Sequence, residues 1–398
     1  MNPHTNSSLY KRACAYIIDL TASVINDTAP AEKPDDVDWD TVIKIAENHS
    51  VLNIVSYAVE KLVDKPDEKR LRFLREFRMQ KIVVEAEQEI EAMDAMDKLE
   101  QMHIKHMPLK GIVIKQLYPS PDMRTMGDID ILIEHEKCDE VIKAFCSDGF
   151  IFCDEGDLHS NVRRGNAYIE FHKAMIDEDH ARLSSYFGSG FERAVKEDGC
   201  DYRYALSRED MYIFLIAHIA KHYRYGGTGI RTLLDLYVYR KVYTDLDMEY
   251  IAAETEKTGL GVFRQKMEAL ADEWYSGGFD GSFNNIAEYI ISGGVYGTKD
   301  TRFQNSFIFE NITENSVRDS KSKYIRDILF PSFDVLAIRY PGLKKHRWLF
   351  PWYWFKRIID TLRIEPKNIK GRIIDSANVI RIDKNDIDVQ RDAGIEEL

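Results

Sequence analysis

Two acidic residues stand one apart in an otherwise apolar run, Asp128-Ile129-Asp130-Ile131-Leu132-Ile133. In an extended strand that spacing puts Asp128 and Asp130 on one side and Ile129 and Ile131 on the other, buried side. Two carboxylates so close repel each other, and burial worsens the cost, unless a cation sits between them. Magnesium takes carboxylate oxygens together with nucleotide phosphate oxygens. The pair therefore points to metal-assisted phosphoryl or nucleotidyl transfer. A solvated edge strand would carry the same triplet, so the neighbours decide. Lys110-Gly111 lies upstream at a turn into a helix, where backbone N–H groups can hold phosphate. Arg124 stands four residues before Asp128. Tyr168-Ile169-Glu170-Phe171-His172 alternates like a strand, with Ile169 and Phe171 on one face and Glu170 and His172 on the other. Glu170 is the best candidate for the third carboxylate of a two-metal site.

Elements that position these residues follow from periodicity and breakers. Residues 8–98 read as helices: Leu9, Ala13, Ile17 and Leu20 recur at helical spacing, as do Ile54, Ala58 and Leu62. From Asp67 to Glu100 no Gly or Pro interrupts the chain, predicting one or two long helices. Ile104 to Leu109 is expected as a short strand, Ile112 to Tyr118 as a short helix and Pro119 to Gly127 as a loop. Ile129 to Ile133 is expected as a buried strand and Glu136 to Ser147 as a helix ending at Asp148-Gly149. Helical texture returns at Met211–His222, Ile230–Lys241, Met248–Lys257 and Val262–Tyr275, whereas Gly293 to Ile308 holds several turn residues. The expected fold class is α+β: a small mixed-sheet core with extensive N- and C-terminal helical regions. The corresponding division is a helical region 1–100, a core 101–203 and a helical domain 204–398.

The chain has 398 residues, 44% hydrophobic and 30% charged, the balance of a globular protein with room for two or three packed modules. No run of about 18 apolar residues predicts a spanning helix. Asp19 interrupts the only apolar stretch near the N-terminus, so no secretory signal is read there. The five cysteines form no CxxC pair and are expected as free thiols in a reducing cytosol. A net charge of −13 repels polyanions at long range and weighs against RNA as acceptor.

Leu109-Lys110-Gly111, Leu117-Tyr118-Pro119, Arg124, Asp128-Ile129-Asp130-Ile131-Leu132 and Ile169-Glu170-Phe171-His172 together resemble the uncharacterised bacterial nucleotidyltransferases of the polymerase-beta-like superfamily. That superfamily includes aminoglycoside nucleotidyltransferases, CCA-adding enzymes and poly(A) polymerases. The resemblance spans residues 107–175 and continues more loosely through His218, His222, Gly229-Ile230-Arg231, Asp235-Leu236 and Tyr340-Pro341. It implies a mixed sheet with flanking helices and Asp128 and Asp130 as magnesium ligands. It also implies Glu170 as third metal ligand or as general base toward an acceptor hydroxyl, and Gly111 at the start of a phosphate-facing helix. Where the superfamily usually has Gly-Ser or Gly-Gly, this chain has Lys110-Gly111-Ile112, with 17 positions from Gly111 to Asp128. Lys110 or Arg124 then stands in for the missing hydroxyl.

Three further features carry a plain and a functional reading. His218 and His222 share a helix face at metal-ligand spacing, but no third donor stands nearby, so a structural or substrate-facing role is favoured. Lys221 and Arg231 flank the turn Tyr225-Gly226-Gly227-Thr228-Gly229, which is either a connector or the place from which both cations reach nucleotide phosphates. From Asp319 to Asp375 thirteen Lys/Arg stand against six Asp/Glu. Within that stretch the basic, Trp-rich segment Lys344–Arg357 suits helix packing, with weak peripheral membrane contact as the alternative. The resulting expectation is a cytoplasmic, magnesium- or manganese-dependent nucleotidyltransferase. It would move an NMP group from a nucleoside triphosphate such as ATP to an acceptor hydroxyl on a small molecule, protein or RNA end. The alternative is an inactive nucleotide-binding or interaction module of the same fold.

Overall fold

The structure is a computed structural model, and it describes residues 8–156, 158–177 and 180–295, then 347–353, 384–395 and a few single positions between these last two stretches and before them. The chain divides into two compact units, Met1–Tyr296 with Asp392–Leu398, and Gly297–Arg391.

In the first unit, helices α1 (Ser8–Ile25), α2 (Trp39–Asn48), α3 (Leu52–Lys61) and α4 (Glu68–Gln101) precede the sheet. The uninterrupted stretch after Pro66 forms one helix, not two. The Asp67 carboxylate caps α4 by accepting the N–H groups of Lys69 and Arg70. Strand β1 (His106–Pro108) and the single turn α5 (Gly111–Ile114) lead to β2 (Ile129–Ile133), and α6 (Cys138–Ser147) follows. Then come β3 (Ile151–Glu155), β4 (His159–Arg164) and β5 (Ala167–His172). The sheet runs β1-β2-β5-β4-β3, with β2 and β5 parallel and every other neighbour antiparallel. This is the expected mixed sheet within an α+β fold. The β3–β4 hairpin was not among the sequence expectations: every residue of β3 is exposed, so no apolar alternation announces it.

One face of the sheet is the core. Ile129, Ile131 and Ile133 of β2 and Ile169 and Phe171 of β5 pack with Ala92, Ala95 and Leu99 of α4 and Val141 and Phe145 of α6. The strands alternate, so burying these residues sends Asp130, Glu170 and His172 to the opposite face.

After α7 (Ala181–Phe187) and the small ribbon β6 (Ala194–Lys196) with β7 (Tyr204–Leu206), five helices follow in this unit: α8 (Arg208–Arg224), α9 (Ile230–Val242), α10 (Met248–Lys257), α11 (Gly261–Tyr275) and α12 (Asn285–Gly293). Most begin on the cap their sequence carries: Ser207 accepts from the Asp210 N–H, Asp247 from Tyr250 and Asn284 from Ala287. Helix α9 has no such residue. Its first N–H, of Ile230, is instead taken by Nδ1 of the fully buried His49, 3.1 Å away, while His49 Nε2 lies 3.2 Å from the Ile291 carbonyl. Gly229 allows that approach, because a Cβ there would stand 2.7 Å from His49 Nδ1.

The turn-rich stretch Gly293–Ile308 lies mostly outside the described residues, as do Tyr340-Pro341 and much of the basic aromatic segment. Within the second unit, the Phe350 ring lies 6.1 Å from Phe333, and Leu336 is buried against Leu349, Phe350 and Tyr353. Trp348 and Trp352 are exposed. Helix α13 (Lys384–Ala393) is the last described element. Among the described residues no helix is long and apolar enough to cross a membrane.

Candidate active site

The parallel pairing of β2 with β5 places Asp130 directly opposite Glu170, and the antiparallel pairing of β5 with β4 places Glu170 opposite Asn161. A polar row thus crosses the sheet face away from the core. His172, two residues beyond Glu170, closes over it: its Nε2–H donates to Asp130 Oδ1 at 2.6 Å and lies 3.5 Å from Glu170 Oε2. Donor atoms of Asp130, Glu170 and His172 all fall within 4.8 Å of one another, a grouping able to hold a cation. His172 is the member to which sequence reasoning gave no role in the site. Period-two alternation had put it on Glu170's face, and that was the signal available.

Lys110 approaches from the turn between β1 and α5. Its Nζ lies 3.1 Å from Asp130 Oδ1. Its backbone holds φ +48° and ψ −111°, a conformation that a lysine adopts only under constraint. Such a residue stores on the order of 1–3 kcal/mol of strain. The neighbouring elements impose it: the Leu109 N–H is bound to the Asp130 carbonyl at 3.0 Å, while the Lys110 carbonyl receives the N–H groups of Val113 and Ile114. Gly111 follows because there is no room for more. A Cβ there would stand 2.9 Å from Met126 Sδ and 3.0 Å from Arg124 Nη1.

Asp128 sits just ahead of β2. Burial, then the charges of Asp130 and Glu170, push its carboxyl up to about 6, against the pull of Lys110 and Arg231. Burial acts in the same sense on Asp130. There Lys110 and the His172 hydrogen bond outweigh it and hold the carboxyl below the usual range. Burial and Lys110 act to lower His172, yet its hydrogen bonds to Asp130 and Glu170 raise it above its ordinary value. Asp128 and Asp130 are thus both penalised by burial, and Asp128, with less local compensation, is the harder of the two to ionise.

The remaining expected site residues fall into two groups. Arg231 lies near enough to lower Asp128, and its Nη1 donates to the Thr125 carbonyl at 2.9 Å. Arg124 and Lys221 hold acidic partners of their own. Arg124 is buried, with Nε and Nη2 donating to the two oxygens of Asp235 at 2.7 and 2.9 Å, and the Tyr118 hydroxyl donates to the same carboxylate at 2.7 Å. The Arg124 guanidinium thus ties the loop before β2 to α9 and packs its Nη1 against Gly111. Lys221 pairs with Asp177. His218 and His222 meet edge to face, with their Nε2 atoms 3.0 Å apart. Desolvation, then Lys110 and His222, drive His218 well below its ordinary value, which puts it within electrostatic reach of the site in its neutral form.

The donor set fits a divalent cation. Carboxylate oxygens on a rigid sheet suit magnesium or manganese, and a positive ion would relieve the repulsion that raises Asp128. No curated protein and no solved structure matches this chain. A family model described as "Uncharacterised nucleotidyltransferase" matches residues 35–276, a span that contains β1 to β7, all three carboxylates and helices α8 and α9. The match covers well over half of the chain, which therefore belongs to this nucleotidyltransferase family.

Proposed function

We propose that this protein is an active nucleotidyltransferase that moves an NMP group from a nucleoside triphosphate to an acceptor hydroxyl. The observation that carries the reading is the register of β2 and β5, which sets Asp130 against Glu170 beside a carboxyl already pushed up to about 6 at Asp128. Asp128, Asp130 and Glu170 would hold magnesium or manganese, with His172 bracing Asp130. When bound, the metal would neutralise the triphosphate and stabilise charge developing at the transferring phosphorus.

The chain's own groups supply the rest. Lys110, held over Asp130 by its strained backbone, offers an ammonium for phosphate oxygens. Arg231 brings a second cation to the edge of Asp128. Gly111 keeps the wall beside Arg124 thin enough for the turn to approach a ligand, and Arg124 itself acts through position, clamping this turn to α9 by way of Asp235. Lys221 lies one helix turn from His218, where its charge is shared with Asp177. In the reaction the acceptor oxygen forms a bond to the α-phosphorus while the bond to the bridging oxygen breaks. Pyrophosphate leaves, and the acceptor proton passes to a carboxylate, with Glu170 the best placed. The acceptor class stays open among small molecules, protein side chains and RNA ends. ATP is one donor to test, and the cytoplasm is the compartment proposed from the free cysteines.

The test is incubation with each α-labelled nucleoside triphosphate, magnesium or manganese, and a cell extract, comparing the protein with Asp128→Ala/Asp130→Ala. Label moved to an acceptor by the unaltered protein alone supports the reading. Metal-dependent nucleotide binding without transfer would replace it with a binding module of the same fold. Neither binding nor transfer would overturn both.

A further inference from the structure

Helix α4 has two apolar sides, and its own unit uses one. Leu71, Leu74, Ala92, Ala95 and Leu99 are buried inward. Outward stand Met79, Val83, Ile90 and Met93, each more than half exposed, with the exposed Ala86 between them. The successive intervals of these five residues are 4, 3, 4 and 3, which is the seam of a coiled coil and not a scatter of surface apolar residues. Arg72 and Glu76 before the stripe and Asp97 after it continue the same spacing, giving the seam charged ends.

The charges along α4 are segregated. From Glu68 to Val84 six Lys/Arg stand against two Glu, whereas from Glu85 to Gln101 seven acids stand against one Lys. We infer that the outer stripe of α4 is a homodimer interface on which a second copy of this chain lays its own α4 antiparallel. A parallel partner would set basic half on basic half, while an antiparallel one sets each basic half on an acidic half. With the twofold axis between Val84 and Glu85, Met79 meets the partner's Ile90 and Val83 meets the partner's Ala86. Arg72 and Arg75 then come opposite the partner's Asp97 and the partner's Asp94. The seam from Arg72 to Asp97 is about 39 Å long at 1.5 Å per residue. Among the ion pairs these charges already make, Arg72 with Glu76 at 3.4 Å, Arg75 with Glu60 at 2.7 Å and Asp97 with Arg203 at 2.8 Å each keep at least one exposed partner and are weak competitors, whereas Glu85 and Glu89 are held by the buried Lys115 and Glu91 by Arg164.

The full chain, measured by size exclusion with light scattering, is expected at twice its mass of 46.2 kDa. Val83→Glu/Ile90→Glu is expected at the single mass, with unchanged helical circular dichroism and melting, because both side chains are solvent-facing in the isolated chain. A monomeric unaltered protein at its highest soluble concentration overturns the inference, and so does a dimer that survives the double substitution. Orientation is read by cysteine cross-linking in a Cys146→Ser/Cys153→Ser background. Met79→Cys mixed with Ile90→Cys is expected to give an intermolecular disulfide that neither gives alone. A disulfide from Met79→Cys alone would mean parallel helices and defeat the antiparallel assignment.

Discussion

Two buried clusters of charge lie close together in this molecule and are built on opposite rules. Around Arg124, one guanidinium meets one carboxylate, Asp235, in a two-pronged pair, and Tyr118 donates the remaining hydrogen bond. On the sheet, Asp128, Asp130 and Glu170 share Lys110 and His172, with Arg231 at the edge. The first cluster pairs its charges one to one, whereas the second crowds three acids, and burial and their mutual repulsion raise Asp128. A balanced buried pair costs desolvation and returns it through geometry, so it fixes one conformation. Crowded like charges cost stability at the group left raised, and a ligand of opposite sign relieves them. The difference separates scaffold from chemistry: charge that is satisfied positions, charge that is unsatisfied binds.

The largest effect should come from removing the crowded acids. Asp128→Ala/Asp130→Ala is expected to lower nucleotidyl transfer by roughly 10³-fold or more, since several kcal/mol of charge stabilisation disappear. The single change Asp128→Ala should hold or raise the melting temperature, because burial and the neighbouring acids disfavour that carboxylate in the fold. A melting temperature that falls would erase the contrast, showing that this carboxylate is structural after all.

Next in size is the balanced pair. Arg124→Ala strands Asp235 in the interior and is expected to cost about 3–5 kcal/mol in denaturant unfolding. The paired change Arg124→Met/Asp235→Leu should recover most of that loss. A mild Arg124→Ala would place Asp235 in contact with water and break the comparison from the other side.

A third charge-poor device, His49, sharpens it further. Burial holds this imidazole near 4, below its ordinary 6.5, so the folded protein keeps it neutral while the unfolded chain takes up a proton first. Its contribution is complete above pH 6.5 and is lost as pH falls from there toward 4. By pH 5 the protein should have lost about 2 kcal/mol relative to a His49→Asn variant, read as the narrowing gap between their unfolding free energies. A gap independent of pH would mean that the ring takes up its proton in the fold as readily as in the unfolded chain.

The smallest effect concerns Lys110. Lys110→Gly relieves the positive φ, a gain of about 1 kcal/mol, and removes one partner of Asp130. Thermal stability should change little while transfer drops. An unchanged transfer rate would remove Lys110 from the site.

Much of the local structure was readable from residue order. Ile129–Ile133 forms the strand that its β-branched run predicts, and α8 to α11 follow the apolar periodicity at residues 211–275. Asp130 and Glu170 both stand on polar faces because alternation is a property of the strand itself. The hairpin of β3 with β4 escaped notice, since Ile151 and Phe152 are exposed neighbours and carry no alternation.

What the sequence by itself determined was therefore most of the helices, the strands β1, β2 and β5 with the apolar face of the last two, and the two acids spaced for a shared cation. Only the tertiary structure decided that β2 runs beside β5 in the register that opposes Asp130 to Glu170. It alone brought His172 onto Asp130, gave Arg124 a partner 111 residues away, and bent Lys110 into a left-handed turn. The physical reason is range. Propensity, alternation and capping act within a few residues, whereas register and buried charge pairing depend on which distant surfaces exclude water together.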